Sequence, residues 1–433
     1  MLWVLLVGSL LGCSEAEADD NTGAGPTASA GTADGDGPST AETTAAEPAP
    51  GTTPSSATPV IVRGQVVTGA GREPLPGARL TAGGSAVVTG PDGLFELAVQ
   101  GDGPVEVARP GWQPVEVDPP GDGEELTVEL EPLVVRGIRV SRTVAADAGR
   151  YRNLLDMADA STVNALVFDT KDETGTVLYD TGVTKAAELD AIRPVYDPGE
   201  LLAEATPRGL YAITRIVTFE DEVWAGRDAE AKLAGAWVDA TDQANWAYPL
   251  DLAVEACELG FDEIQFDYVR YPAGRTASAV AGRIPGTSDE RSAVIAAFLE
   301  EARTRLAPMG CGVSAAVFGI VVSSPSDEGI GQLVEAVSPS VDVLSPMIYP
   351  SHYNPGWMGF PDPNDHPGPV VARALDDGMA RLGPTTLMRP WIQAFYYNGE
   401  QIGAEIQEAE QRGAGWILWN AGGDYRLDWL PTD

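Results

Sequence analysis

Histidine and cysteine are scarce in this chain, two and three residues among 433. No CxxC or HExxH spacing occurs, so the donor sets of zinc hydrolases are missing and zinc chemistry is nearly excluded. Basic residues are few as well: 27 Lys and Arg face 64 Asp and Glu, for a net charge of −37. A surface this negative repels nucleic-acid phosphates and anionic headgroups, which argues against nucleic-acid binding and polybasic membrane attachment. A neutral substrate fits better. An EF-hand-like calcium loop is missing too, although so acidic a chain has oxygen ligands to spare. No cofactor is implied.

What is present begins with a short apolar run, Leu2 to Leu11, which cannot cross a ~30 Å hydrocarbon core. Leu10-Leu11-Gly12-Cys13 follows, and then the composition turns abruptly polar. Residues 1–12 and this box resemble the signal peptide of bacterial lipoproteins. The resemblance implies a lipid anchor on Cys13 and a place in the bacterial cell envelope, facing the periplasm or exterior. Ser14, rather than Asp, would favour the outer membrane in a Gram-negative cell. A plain secretory signal is the competing reading, since no Lys or Arg precedes Arg63. From Ser14 to Thr58 there is no Val, Ile, Leu, Met, Phe, Trp, Tyr or Cys, and there are eight acids with no base. Such a segment buries too little apolar surface to offset its ordering entropy, so residues 13–58 are expected to be a disordered tether.

Residues 59–132 read as a small β-sandwich. Runs such as Gln65-Val66-Val67, Leu94-Phe95-Glu96-Leu97 and Leu126-Thr127-Val128-Glu129-Leu130 alternate in polarity between Gly, Pro and Asp turns. The Pro74-Leu75-Pro76-Gly77-Ala78 turn and the Asp92-Gly93-Leu94-Phe95 strand entry resemble the carboxypeptidase regulatory-like (prealbumin-like) domain. Members bind carbohydrate or act as spacers; with Trp112 the only Trp or Tyr here, a spacer is expected.

From residue 133 to the end, eight β runs alternate with helical patterns: Arg136–Ser141, Ala165–Thr170, Leu210–Ile216, Glu263–Tyr268, Gly312–Phe318, Asp342–Ile348, Met388–Ala394 and Trp416–Asn420. Between them, Leu250, Val254, Cys257 and Phe261 keep helical spacing. Eight such units predict an α/β fold, a (β/α)₈ TIM barrel over residues 133–433. An open doubly wound sheet is weakened by the lack of a GxGxxG turn after the first strand. Cys257 and Cys311 fit either a disulfide in an exported protein or two buried thiols.

Barrels of this kind hold their chemistry at the C-terminal strand ends. Those ends carry Asp169 and Lys171, Arg215, then Gln265, Asp267, Tyr268 and Arg270, then Tyr349, Trp391, Gln393, Trp419 and Asn420, with Trp237 in a nearby loop. Rings, amides and carboxylates together suit a sugar pocket. Lys171, among carboxylates, reads as a charged structural lysine rather than a Schiff-base nucleophile. Alternation puts Asp169 and Lys171 on one face of their strand, and Gln265 and Asp267 on one face of theirs. Loop acids Asp172, Asp239, Asp327 and Glu328 are further candidates. His352 and His366 share one loop and make no metal site.

The strings AVEACELGFDEIQFDYVRYP, VDVLSPMIYPSHYNPGW and GWILWNA resemble the putative glycosyl hydrolase domain family, TIM barrels of unknown specificity. The resemblance implies a glycosidase with its key acid at Asp267 on strand four. It also implies an acid on strand five, where this chain reads Ser314-Ala315-Ala316-Val317-Phe318-Gly319. Ala316 stands in its place. Asp169 is then the alternative partner, two strands away, as in an inverting pair ~6.5–9.5 Å apart. The expected function is hydrolysis of an extracytoplasmic polysaccharide. The alternative is a glycan-binding pseudoenzyme that lost an acid at Ala316. Either way the partners are a polysaccharide or oligosaccharide and, through Cys13, a membrane.

Overall fold

The structure, a computed structural model, describes residues 60–432 except Ala70, Gly101, Asp102, Asp122 and Gly123. The leading apolar run, Cys13 and the acidic tether lie outside the described residues.

Period-two alternation builds the small domain: in Leu94–Val99, Phe95, Leu97 and Val99 turn inward while Leu94 and Glu96 face out. That strand pairs with Val60–Thr68, which pairs in turn with Glu125–Leu130. A second sheet runs Ser85–Val88, Arg79–Ala82, Val105–Ala108, Val115–Val117. Their inner faces share one core that includes Val62, Val66, Leu80, Val107, Trp112 and Val128. Two strands were not read from sequence, Ser85–Val88 and Val115–Val117; they are short and half exposed, so no inward face marks them.

The barrel is closed. Its strands are one (Arg136–Arg139), two (Ala165–Lys171), three (Tyr211–Val217), four (Glu263–Asp267), five (Gly312–Phe318), six (Val343–Ile348), seven (Leu387–Met388 and Trp391–Gln393) and eight (Trp416–Trp419). Each pairs in parallel with its neighbours, and five pairs with six to complete the ring. Strand seven is interrupted at Arg389-Pro390 because proline has no N–H to give the ladder. Leu166 and Phe168 pack outward with the helices. Ala165, Val167, Ile213, Ala316, Trp391 and Ile417 form a separate cluster inside. Surrounding helices start where their caps dictate, as at Thr287, whose side chain and that of Glu290 form a reciprocal capping box for Ser288–Leu306.

The small domain docks under the barrel. Arg109 donates to the carbonyls of Pro76 (2.9 Å) and Thr385 (3.2 Å), and its guanidinium lies 3.4 Å from Asp342 just before strand six. Arg79 donates to the Pro308 carbonyl at 3.1 Å. Leu387 of strand seven packs against the small domain's core. All of these lie at the N-terminal strand ends. Cys257, on helix Ala247–Glu258, is disulfide-bonded to Cys311, with Cα atoms 6.1 Å apart.

Candidate active site

At the opposite end, side chains pointing inward from strands one to four meet in one charged lattice. Arg215 uses its whole fork: Nε donates to Asp169 at 2.7 Å, Nη1 to Asp267 at 2.8 Å and Nη2 to Glu173 at 2.7 Å. Arg139 of strand one donates to the second oxygen of Asp169 at 2.5 Å. Both guanidinium groups stack on Trp419, at 4.3 Å for Arg139 and 5.0 Å for Arg215. Burial would lift the Glu173 carboxyl, but Arg215 and Arg139 outweigh it and hold it down at about 2. Asp169 is thus fixed by two cations and sealed, with 1% of its side chain exposed.

Alternation fails at the end of strand two. Asp169 opposes Arg215, but the next residue of strand three, Ile216, opposes Lys171, so Thr170 is bulged out of the ladder. The extra residue turns Lys171 to the outer face, away from Asp169. There Lys171 pairs with Asp221 at 2.6 Å, over the ring of Tyr248, and is fully buried. Lys171 is therefore not on the pocket side.

Of the two strand carboxylates that Arg215 binds, Asp267 is the more open, 5% exposed as a residue against 2% for Asp169, while Glu173 in the loop after strand two is half exposed. The free oxygen of Asp267 accepts the N–H of Tyr268 at 2.7 Å. Tyr268 holds a left-handed backbone, φ 49°, a conformation costly for an aromatic residue. Across from it stands Glu220, in the loop after strand three, bridged through its backbone to Trp237. Burial raises the Glu220 carboxyl; Arg270 opposes this, and the charge of Asp267 adds to the lift. Arg270 lies among three rings, 4.6 Å from Trp237, 4.4 Å from Phe318 and 5.1 Å from Tyr268.

Below these charges lies an amide floor. Gln265 accepts the Trp391 indole N–H at 2.8 Å and donates to Ser314 and Ser345 at 3.3 Å each. Trp391 meets Trp419 edge-on at 5.3 Å. Gln393 accepts from Ser351, and Asn420 donates to the Ala394 carbonyl at 2.7 Å, so both amides brace the loops of strands six to eight. Tyr349 packs edge-on to His352 and Phe395. Ala316 points inside. Phe266 opposes Ala315 across the ladder, so position 316 neighbours Asp267 and offers it no acid.

The loop acids serve local structure. Asp172 accepts from Thr174 and Thr176, Asp239 from Thr241, and Asp327 from Arg291 and Gly331. Glu328 bonds Ser324 and Ser326. Three site residues were missed by sequence reading: Arg139, Glu173 and Glu220. Glu220 was hidden in the run Glu220-Asp221-Glu222, which reads as a helix start; Asp221 indeed caps helix Glu222–Arg227. Arg139, at the end of strand one, could have been found by the same strand-end rule.

A closed barrel with carboxylates, arginines and indoles at its C-terminal mouth is a glycoside hydrolase-like domain. The chain belongs to the Putative glycosyl hydrolase domain family, whose model matches residues 137–425. Among solved structures it is similar to a hypothetical protein from Ruminiclostridium thermocellum ATCC 27405, at 27% identity over 41% of this chain and 96% of that one, TM-score 0.36. It is also similar to the PgaB (BpsB) glycoside hydrolase domain from Bordetella bronchiseptica, at 13% identity over 67% and 95%, TM-score 0.49. A chitinase from Chromobacterium violaceum ATCC 12472 matches at 15% identity over 69% and 97%, TM-score 0.42. None superimposes closely enough to lend this chain its activity. No curated protein matches it.

Proposed function

We propose that the barrel hydrolyses glycosidic bonds of a polysaccharide, with Asp267 as the charged carboxylate and Glu220 as the proton donor. The observation that carries this reading is the contrast between the two groups. Asp267 is bound to Arg215 at 2.8 Å, whereas Glu220 is half-buried and lifted by burial and by its neighbour's charge. Two carboxyls in environments that part their roles are what acid-assisted glycoside cleavage requires. Asp169 then acts through Arg215 and Arg139 as a positioning residue. Trp419, the one of the three indoles that is not buried, supplies a ring face for sugar, with Trp391 packed edge-on behind it.

Asp267→Asn and Glu220→Gln test the assignment. Each is expected to retain glycan binding while the release of reducing ends falls about 10²–10⁴-fold. Glu220→Gln should slow natural glycans far more than aryl glycosides with activated leaving groups, which need no protonation. Equal slowing would remove Glu220 from the acid role. Ala316, beside Asp267 in the ladder, supports a second reading, a glycan-binding barrel without turnover. In that case activity should appear only in Ala316→Asp.

The protein works outside the cytoplasm, anchored by lipid on Cys13 in the cell envelope, with the small domain as spacer. The Leu10-Leu11-Gly12-Cys13 box and the Cys257–Cys311 disulfide support this. Cys13→Ser should release the protein from the membrane fraction, since acyl chains hold by ~0.8 kcal/mol per buried CH₂. Unchanged fractionation would end the anchor.

A further inference from the structure

The three arginines at the mouth are not equally engaged. Arg215 gives a donor to each of three carboxylates, and Arg139 is bound to Asp169 and to the Ala421 carbonyl at 3.3 Å. Arg270 has a single hydrogen bond among the described residues, Nη1 to the Tyr271 carbonyl at 3.0 Å. Its nearest acid, Glu220, is 3.9 Å from Nη2, beyond hydrogen-bond reach. The residue is only 6% exposed, and Nε and Nη2 make no hydrogen bond among the described residues. Nη2 faces Glu220, whose side chain is 32% exposed, so this side of the guanidinium lies beside a part of the mouth that solvent reaches. The rings of Trp237, Phe318 and Tyr268 take up the guanidinium's surroundings and fix it, while a guanidinium's N–H groups radiate in its plane.

A desolvated cation held rigid by aromatic rings, with most of its fork unused, is costly unless a ligand completes it. An anion that presents two oxygens to the fork is the complement that geometry favours. From this we infer that Arg270 selects a glycan carrying an anionic substituent, a carboxylate or a sulfate, on the sugar ring that lies beside Asp267 and Glu220. The inference rests on the glycosidase reading of the same site and adds the substrate class to it. It also revises the expectation of a neutral substrate drawn from net charge. The −37 of the chain repels anions at long range, but recognition by Arg270 is a contact interaction inside the mouth, where a paired ion is little screened.

The test is a binding titration of the full chain carrying Asp267→Asn, so that turnover does not interfere. Three sets of oligosaccharides of matched length and linkage are compared: neutral, uronate-containing and sulfated. Binding to one anionic set should exceed the neutral set by about ten- to a hundredfold, the worth of a charge-assisted bidentate contact. Whichever set wins identifies the substituent. Adding Arg270→Gln should erase the preference, and Arg270→Lys, which keeps charge without the fork, should restore only part of it. Equal affinity for neutral and anionic sets, or a preference that survives Arg270→Gln, overturns the inference. If the unsubstituted protein cuts neutral chains with no gain from the substituent, the inference falls and the glycosidase reading stands; if no set is bound or cut, both fall. The comparison of sets in the Arg270-containing protein decides the matter even if Arg270→Gln does not fold.

Discussion

The two ends of the barrel are both filled with buried ion pairs, and they solve that problem differently. At the N-terminal end Glu263 is held by Arg389, Ser314 and Tyr211, and Asp342 by Arg109 and the Val313 N–H. Protein covers these pairs, since the small domain closes over Asp342 with its own Arg109. At the C-terminal end Arg215 and Arg139 neutralise Asp169 completely, but Asp267, Glu220 and Arg270 are left with capacity to spare. A buried charge that is paired and covered by protein on every side is a structural element. One that keeps open valence beside solvent has something to bind.

The comparison breaks most visibly at Arg389. Arg389→Met should destabilise the protein by about 3–5 kcal/mol, because Glu263 is left as an uncompensated buried acid. Glycan affinity of the folded fraction should not move; denaturant unfolding and titration together check both halves. A change in affinity would mean that the two ends communicate. Next in size is the covalent tie: replacing Cys257 and Cys311 with Ala should cost about 2–4 kcal/mol, read from the same unfolding curves, with turnover per folded molecule unchanged.

A third prediction sharpens the contrast with a group that has neither partner nor opening. Glu405, on helix Gly399–Gln411, is fully buried with neither oxygen bonded among the described residues, and burial raises its pKa well above the ordinary 4.5. The folded form holds its proton while the unfolded chain loses it, so the stability this group permits is complete below pH 4.5 and declines as pH rises. Glu405→Gln should therefore melt with the parent at low pH and increasingly above it toward neutrality. Parallel melting curves at all pH values would contradict the buried neutral state. The smallest effect is expected at the domain junction: Arg79→Ala removes an exposed bond to Pro308 and should shift stability by less than about 0.5 kcal/mol.

Much of this was legible in the sequence, and the exceptions have physical causes. All eight barrel strands follow from short apolar runs between helical patterns, because strands covered on both faces read as near-continuous hydrophobic stretches. The strand-end rule named Asp169, Arg215, Asp267 and Arg270, which the structure gathers at the C-terminal mouth. It failed where a backbone event lies between sequence and side-chain direction: one bulged residue, Thr170, sends Lys171 to the outside. It was silent where an acid of the mouth follows the strand rather than ending it, as Glu220 does. The hairpin of Lys232–Ala234 and Trp237–Val238 that brings Trp237 to Arg270 is too short to give a period. Pairing of Cys257 with Cys311 needed a distance, which spacing along the chain does not contain.

The left-handed backbone of Tyr268 bears on how the protein would respond to selection for heat tolerance. A glycine there would relax a conformation that costs of order 1–3 kcal/mol, so directed evolution scored on melting temperature alone would be drawn to this position. The same change would remove the ring beside Arg270 and loosen the peptide whose N–H orients Asp267. Thermal robustness and the mouth's geometry therefore compete at a single residue, and a screen that rewards only the first would erode the second.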